Sequence, residues 1–264
     1  MLGSFAEGAA ILNRPDYRQV AEANASFLLD QMQKNDLLLR TYKDGQAKLN
    51  GYLEDYACFI DGLISLYEAT GKLRWIQAAV SLADKMIEQF WDEDAGGFYF
   101  TGKDHEQLIV RSKEFLDNAT PSGNSIAGLS LLRLALLTGN QDYHRRATDV
   151  LRLMANQIRR YPSAFGFALC ALDFYLDSPH EIAILGAASD SRLDELVSTV
   201  WQTYLPNRVV ALCTEAQAEA AAFVPLLSER NTLNDQPTAF VCEAYTCQTP
   251  VHSSSELIKQ LTRR

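Results

Sequence analysis

The sequence predicts a mainly α-helical fold, in which repeated helical hairpins are followed by a small α/β subdomain. Three observations predict this class. A short pattern recurs at intervals of roughly 60 residues. Amphipathic and almost wholly apolar helical segments alternate along the first two thirds of the chain. Near residue 179 this alternation gives way to a strand–helix–strand pattern.

The recurring pattern is a Gly or Asn, an aromatic residue four positions later, and an alanine four positions after that. Its copies begin at Asn13, Gly71 and Gly139. Each copy opens an amphipathic helix whose polar face carries Arg, Gln, Asp and Glu, and which therefore faces water on one side. These three predicted helices span residues 17–34, 74–90 and 142–159.

Between the amphipathic helices lie segments that are apolar on almost every face, which is typical of buried helices. They span residues 4–12, 53–69, 124–137 and 163–176. The alternating order predicts a stacked or toroidal array, with the apolar helices as the inner layer and the amphipathic helices as the outer layer.

The two kinds of linker differ in length. The linkers that lead from an inner to an outer helix are the short pairs Thr70-Gly71 and Thr138-Gly139, whereas the opposite linkers are long. The long linkers contain predicted strands at residues 37–42 and 98–100, the latter pairing with residues 108–110. Because function concentrates on elaborated loops, we expect the site on the face of the long linkers.

The C-terminal part predicts strands over residues 181–185, 207–213 and 238–243. Predicted helices span residues 191–204, 216–227 and 254–261. The first strand, helix and second strand form a βαβ unit. We therefore divide the chain into a helical domain, residues 1–178, and an α/β subdomain, residues 179–264.

Composition excludes several function classes. The 264 residues carry a formal net charge of −9, so the surface offers little to neutralise phosphate, and we expect neither nucleic acid nor a membrane as partner. Residues 1–5 contain no Lys or Arg that would open a secretory signal. The five cysteines are an odd number, and three of them lie in apolar patterns. These features predict a cytoplasmic protein whose thiols are mostly reduced.

The first candidate site lies where the second apolar helix begins, at Tyr52-Leu53-Glu54-Asp55-Tyr56. Two adjacent carboxylates between two tyrosines suit acid–base chemistry on a sugar. Asp55 shares its helical face with apolar residues, so we expect burial to raise its pKa, whereas Glu54 lies on a polar stripe with Asp61, Ser65 and Glu68. The alternative is that both carboxylates only complement the helix dipole.

The second candidate site is the polar stretch of residues 117–125, which precedes the third apolar helix. Thr120 is the predicted N-cap and Pro121 the first helical residue. Asp117, Asn118, Ser122 and Asn124 are candidate contacts for ligand oxygens, with Asp117 a candidate catalytic partner of Asp55. The alternative is an elaborate helix cap. Two such helix starts on one face favour a shared pocket.

The other motifs are weaker. Cys242 and Cys247, with His252 beyond them, match neither a CxxC redox pair nor a zinc site, and the favoured interpretation is structural thiols at a strand end and turn. The acidic stretch 92–97 lacks the spacing of a calcium loop and predicts a turn. The sequence holds no GxGxxG, P-loop or GxSxG motif, and we expect neither a cofactor nor a metal ion.

Four motifs in order carry a family resemblance: residues 51–57, 90–100, 119–125 and 237–242. Together they make the chain similar to the C-terminal part of the thioredoxin-domain-containing family related to spermatogenesis-associated protein 20. The resemblance covers nearly the whole chain. It implies an (α/α)6 toroid of the six-hairpin glycosidase type, akin to N-acylglucosamine 2-epimerases, and an N-terminal thioredoxin-like domain.

The chain departs from that family pattern in two ways. Its sequence predicts about seven toroid helices, where a full ring has twelve, and it predicts no thioredoxin-like domain. We therefore expect a partial toroid without thioredoxin-type activity. The leading hypothesis is a sugar-binding or sugar-processing protein, an isomerase, epimerase or glycoside hydrolase. Two alternatives stay open: a non-catalytic module whose ring is completed by another chain or by self-association, and redox function through Cys242 and Cys247.

Overall fold

The computed structural model describes residues 1–106, 109–214, 217–244 and 246–262. Its first two thirds contain seven α-helices among the described residues. These are α1 (Leu2–Ile11), α2 (Pro15–Gln31), α3 (Leu53–Thr70), α4 (Leu73–Phe90), α5 (Gly123–Thr138), α6 (Gln141–Arg160) and α7 (Gly166–Leu176). Each predicted helix of this region is present, with bounds shifted by a few residues, so the predicted order of the helices is confirmed.

The helices form two layers. The inner layer is a row in which α1 packs on α3, α3 on α5, and α5 on α7. The outer helices α2, α4 and α6 pack on α1, α3 and α5, the inner helices that precede them. The chain is therefore mainly helical and built from hairpins; whether the row is part of a ring stays a prediction.

Caps fix where the two central inner helices begin and end. The cap of α5 is Ser122, whose Oγ accepts a hydrogen bond from the backbone N–H of Ser125 at 3.1 Å. The predicted cap at Thr120 is therefore wrong, because the helix begins two residues later. At the other end α3 and α5 stop at Gly71 and Gly139, whose φ values of 68° and 69° favour glycine.

Burial differs between the middle and the ends of the row. Helices α3 and α5 are buried over most of their length, as predicted. The expectation of burial on almost every face is wrong for α1 and α7, whose buried side chains are three each. The physical reason is position, since an end helix has an inner-layer neighbour on one side only. Leu169 and Leu176 of α7 are 36% and 72% exposed.

The long connections differ from the prediction in two places: the one before α3 has additional strands, and the one before α5 has a bridge instead of a strand pair. A three-stranded antiparallel sheet of β1 (Gln33–Lys34), β2 (Leu37–Lys43) and β3 (Gln46–Asn50) precedes α3. Strand β3 is not predicted by the sequence, because its side chains are mainly polar and its apolar Leu49 is 67% exposed. Conversely, residues 98–100 form only an isolated bridge from Phe98 to Trp91, and their predicted partner, residues 108–110, lies partly outside the described residues.

The C-terminal part is a four-stranded mixed sheet covered by helices. Its elements are β4 (His180–Leu185), α8 (Ser191–Gln202), β5 (Arg208–Cys213), α9 (Gln217–Phe223), β6 (Thr238–Glu243), β7 (Thr246–Cys247) and α10 (Ser254–Leu261). The strand order is β5-β4-β6-β7, with β4 and β5 parallel across α8, which confirms the βαβ unit. The helix predicted over residues 216–227 ends at Phe223, because Pro225 begins a separate 3-10 turn.

The two faces of this sheet belong to different cores. Ala183 and Leu185 of β4 pack in the same hydrophobic cluster as the inner helices, whereas Ile182 and Ile184 pack with residues of α8 and α10. β5 also contacts α3 and α5, and α8 contacts α1. The α/β segment therefore lies against the inner layer; the division at residue 178 stays a prediction. Among the described residues, no helix is long and apolar enough to cross a bilayer.

Candidate functional site

The start of α3, the first predicted site, lines a cavity of about 520 Å³, which we call the Asp55 cavity. Glu54 and Asp55 lie on its wall together with Thr120 and Pro121 from the second predicted site. The two helix starts therefore both contribute to this cavity, but Thr120 and Pro121 were predicted as cap residues and not as ligand contacts. Much of the remaining wall is apolar, including Leu28, Met32, Leu38, Leu39 and Phe59.

Asp55 is held by two neighbours. Its Oδ2 accepts a hydrogen bond from the backbone N–H of Tyr52 and lies 2.9 Å from Nη1 of Arg40, which also pairs with Glu54. Burial raises the pKa of Asp55, although the Tyr52 N–H and Arg40 act in the opposite direction. The predicted direction of the pKa shift is confirmed, and Asp55 also stabilises the first turn of α3.

The two tyrosines of the first site pack against the loops rather than line this cavity. The hydroxyl of Tyr56 accepts a hydrogen bond of 2.8 Å from the Leu38 backbone N–H, and the side chain is 1% exposed. Burial raises the pKa of Tyr56 to about 12. The ring of Tyr52 stacks on Phe100, and the Arg40 guanidinium lies 4.9 Å from its centre.

Asp117 accepts hydrogen bonds from backbone N–H groups and does not line the Asp55 cavity. Its Oδ1 accepts a hydrogen bond from the N–H of Ser122, and its Oδ2 accepts two from Phe167 and Ala168 in the first turn of α7. One carboxylate therefore joins the start of α5 to the start of α7. These contacts favour the capping alternative for Asp117.

The neighbouring polar residues are placed in a similar way. The Asn124 amide, 0% exposed, accepts from the N–H of Phe98 and donates to the carbonyls of Phe98 and Glu114. Ser122 caps α5, and Asn118 is exposed. Among the described residues, Asp117, Asn118, Ser122 and Asn124 do not line the Asp55 cavity, so their role as ligand contacts stays a prediction.

A second cavity, of about 530 Å³, lies between the inner helices and the α/β segment, and we call it the Arg133 cavity. Its charged lining residues come from four elements: Glu7 (α1), Asp61 and Glu68 (α3), Arg133 (α5) and Arg208 (β5). Trp201 at the end of α8 and the aromatic rings of Phe167 and Phe174 complete much of the wall.

Arg133 is the centre of this cluster. Its Nη1 lies 2.8 Å from Oδ1 of Asp61, and its Nη2 lies 3.3 Å from Oε2 of Glu68. Nη2 also donates to Ser65 Oγ at 3.4 Å, and that hydroxyl donates to Oε1 of Glu7. Asp61, Ser65 and Glu68 are four and three positions apart, a spacing that places them on one face of α3.

Three side chains on this wall hold a buried polar atom without a hydrogen-bond partner among the described residues. They are Oε1 of Glu68, Nε of Arg208 and Nε1 of Trp201. Glu68 is 3% exposed, and burial raises its pKa against the opposing effect of Arg133 and Arg208. Burial also lowers the pKa of Arg208, whose guanidinium lies 4.6 Å from the centre of the Trp201 ring.

Sequence reasoning missed this cluster. The polar stripe of Asp61, Ser65 and Glu68 along an apolar helix was visible, and Arg133, the one charged residue of α5, was a second signal. The sequence does not show that α3 packs on α5, or that β5, which begins at Arg208, contacts both helices.

Cys242 and Cys247 form a disulfide, so the expectation of two structural thiols is wrong for this pair. The two residues are register partners across β6 and β7, a pairing that a spacing of five does not reveal. Among the described residues, no cluster of three or more His, Cys, Asp or Glu side chains is arranged to hold a metal ion.

Comparison with known proteins shows homology to spermatogenesis-associated protein 20. The human protein is 32% identical over 276 aligned positions, which cover 99% of this chain and 35% of the human protein. The rat protein is 32% identical over 80% of this chain, and an uncharacterized Caenorhabditis elegans protein is 25% identical over 91%. No protein-family model matches. The chain spans about a third of the length of these curated relatives.

Proposed function

We propose that the chain binds a small sugar-like ligand in the Arg133 cavity and that Glu68 transfers a proton to or from it. The observation that carries the proposal is one guanidinium, that of Arg133, shared by the carboxylates of Asp61 and Glu68 on the wall of a cavity of about 530 Å³. The family resemblance to a toroid of the six-hairpin glycosidase type supports the same substrate class.

The polar groups of the wall suit hydroxyl groups. A hydroxyl both donates and accepts, so it can satisfy the acceptor Glu68 Oε1 as well as the donors Arg208 Nε and Trp201 Nε1. Buried polar atoms without partners are costly, and a ligand that pairs with them gains that free energy on binding. The aromatic rings offer flat apolar surface for the C–H face of a sugar.

The carboxylates suit acid–base chemistry. A carboxyl group whose pKa is raised by burial is a better general acid or base near neutral pH than an ordinary one. Glycosidases use two carboxyl groups about 5–10 Å apart, and Asp61 and Glu68 are two carboxyl groups that contact one guanidinium. Proton transfer by Glu68, with Asp61 paired to Arg133, therefore serves a sugar isomerase, epimerase or hydrolase.

The Asp55 cavity is the alternative position for the same chemistry, with Asp55 and Glu54 as the carboxylates. The test is titration of the chain with neutral and N-acylated monosaccharides by calorimetry. The parent is compared with Glu68→Gln, Arg208→Gln and Asp55→Asn, three variants that keep a polar side chain and whose folding is checked by circular dichroism. We expect Glu68→Gln and Arg208→Gln to weaken binding at least about tenfold and Asp55→Asn to change it little.

Two outcomes contradict the proposal. Failure of every monosaccharide to bind removes the sugar class, and loss of binding in Asp55→Asn alone moves the site to the Asp55 cavity. Fluorescence gives a second readout, because Trp201 lines the Arg133 cavity. A ligand-induced change in fluorescence that is still seen in Trp201→Phe would come from a tryptophan outside the Arg133 cavity.

A second candidate function is assembly with another chain through α7. This helix ends the inner row and exposes Leu169 and Leu176, which favours a further helix packing there. Size-exclusion chromatography with light scattering tests it. A stable monomer whose mass and stability are unchanged in Leu169→Gln counts against obligate assembly.

A further inference from the structure

The disulfide between Cys242 and Cys247 lies beside a cation. The two residues face each other across the antiparallel pair of β6 and β7. Nη2 of Arg230 lies 3.2 Å from Sγ of Cys242 and 3.2 Å from Sγ of Cys247. Nη1 of Arg230 donates a hydrogen bond to the Leu226 carbonyl. The Arg230 guanidinium lies 5.7 Å from the centre of the Phe240 ring.

The two sulfurs differ in access. Cys242 is 3% exposed on β6, whereas Cys247 is exposed on β7, the edge strand of the sheet. Cys247 is therefore the more accessible of the two residues to a thiolate in solution. Attack on Cys247 makes the buried Cys242 sulfur the leaving group, next to Arg230.

We propose that Cys242 and Cys247 are a thiol–disulfide exchange site, in which Cys247 is attacked by an accessible dithiol and Cys242 leaves as a thiolate stabilised by Arg230. The attacking thiolate forms a mixed disulfide with Cys247 as the Cys242–Cys247 bond breaks. The second thiol of the dithiol, once deprotonated, attacks its own partner sulfur and releases the Cys247 thiolate. Two electrons pass to the chain, and the dithiol becomes a disulfide.

The charges around Arg230 decide how strongly it acts. Glu181 on β4 is the register partner of Cys242, and its charge interacts with Arg230. Burial raises the pKa of Glu181, and the charge of Arg230 acts against that shift. A cation next to a thiolate lowers the thiol pKa, and a leaving thiol of lower pKa departs faster. The neighbouring carboxylate of Glu243 is paired with His180 at 2.8 Å.

The first experiment measures how fast dithiothreitol reduces this disulfide in the full chain, by thiol labelling and peptide mass spectrometry. Cys58→Ser and Cys170→Ser remove the two exposed thiols that would complicate the labelling. In that background we expect Arg230→Gln to slow reduction roughly tenfold, Arg230→Lys to retain most of the rate, and Arg152→Gln, a surface control, to change nothing. Equal rates in the parent and in a folded Arg230→Gln variant overturn the proposal.

The second experiment locates the attacked sulfur without relying on Arg230 variants. Single substitutions Cys242→Ser and Cys247→Ser leave one thiol of the pair, and each variant is treated with oxidised glutathione. We expect Cys247 to form the mixed disulfide at least about tenfold faster than Cys242, because exposure controls access. Similar rates, or a faster reaction at Cys242, contradict the assigned direction. Neither experiment depends on sugar binding in the Arg133 cavity.

Discussion

Asp61 and Arg133 are 72 positions apart in the chain, yet Nη1 of Arg133 donates a hydrogen bond of 2.8 Å to Oδ1 of Asp61. The bond joins α3 to α5 at the wall of the cavity. It also fixes the guanidinium beside Glu68, a carboxylate that is 3% exposed. One arginine therefore pairs with two carboxylates of the neighbouring helix.

The first prediction concerns the loss of that cation. We expect Arg133→Met to lower the free energy of unfolding by about 3–5 kcal/mol near neutral pH, because it leaves the buried Glu68 without its partner. The measurement is urea denaturation. The control is Arg152→Met, since Arg152 is 73% exposed and its ion pair with Asp149 is worth about 1 kcal/mol at most. If Arg133→Met lowers the free energy of unfolding no more than Arg152→Met does, the burial of Glu68 does not require its ion pair with Arg133.

The second prediction concerns pH. Burial raises the pKa of Glu68 above 4.5, so the folded chain binds this proton more tightly than the unfolded chain does. The contribution of Glu68 to stability therefore falls as pH rises above about 4.5. We expect the stability of Glu68→Gln, relative to the parent, to increase between about pH 4.5 and 7.5.

Denaturation at several pH values measures this difference, with Glu88→Gln as the matched control. The pKa of Glu88 is lowered, first by its hydrogen bond with Lys85, so its favourable contribution is retained above about pH 4.5 and lost below it. The relative stability of Glu88→Gln should hence change little over the same interval. A flat curve for Glu68→Gln as well would show that its pKa is not raised.

The third prediction separates capping from ligand binding at Asp117. Asp117→Ala removes an acceptor of three backbone hydrogen bonds, so we expect about 2–3 kcal/mol of destabilisation by thermal or urea unfolding. Asn118→Ala, at an exposed neighbour, should stay within about 0.5 kcal/mol. A stable Asp117→Ala variant that has lost monosaccharide binding would instead support the ligand-contact interpretation.

The fourth prediction tests the close approach of two inner helices. A Cβ at Gly123 would lie 2.8 Å from Cγ of Leu53, so we expect Gly123→Ala to cost about 1–3 kcal/mol. A Cβ at Gly128 on the same helix meets nothing closer than 3.7 Å, at Cγ1 of Val150. Gly128→Ala should therefore be neutral or stabilising by up to about 1 kcal/mol. Equal effects in unfolding experiments would contradict this packing.

The sequence predicted the order of the helices well, because their periodicity is local and strong. Gly71 and Gly139 also marked two helix ends correctly. The sheet before α3 was predicted in part, since β2 has apolar residues that face the core whereas β3 has none that are fully buried. Thr120 was mistaken for the cap because Pro121 suits the first helical position, whereas in the structure Pro121 precedes the cap Ser122.

The candidate site was harder to predict, since its members are adjacent only after folding. Asp55 shows the expected burial effect on its pKa, an effect that depends on its own helical face. Arg133, Glu68 and Arg208 come from three elements whose pairing no local pattern specifies. The disulfide of Cys242 and Cys247 likewise needs the register of β6 and β7.

The position of the α/β segment against the inner helices also has a consequence for synthesis. A ribosome delivers Glu68 and Arg133 before Trp201 and Arg208, the residues that complete the cavity. Until those later residues are made and packed, the Glu68–Arg133 pair lacks the part of the wall that Trp201 and Arg208 supply. The surroundings of residues made early in synthesis are thus completed only by residues made late.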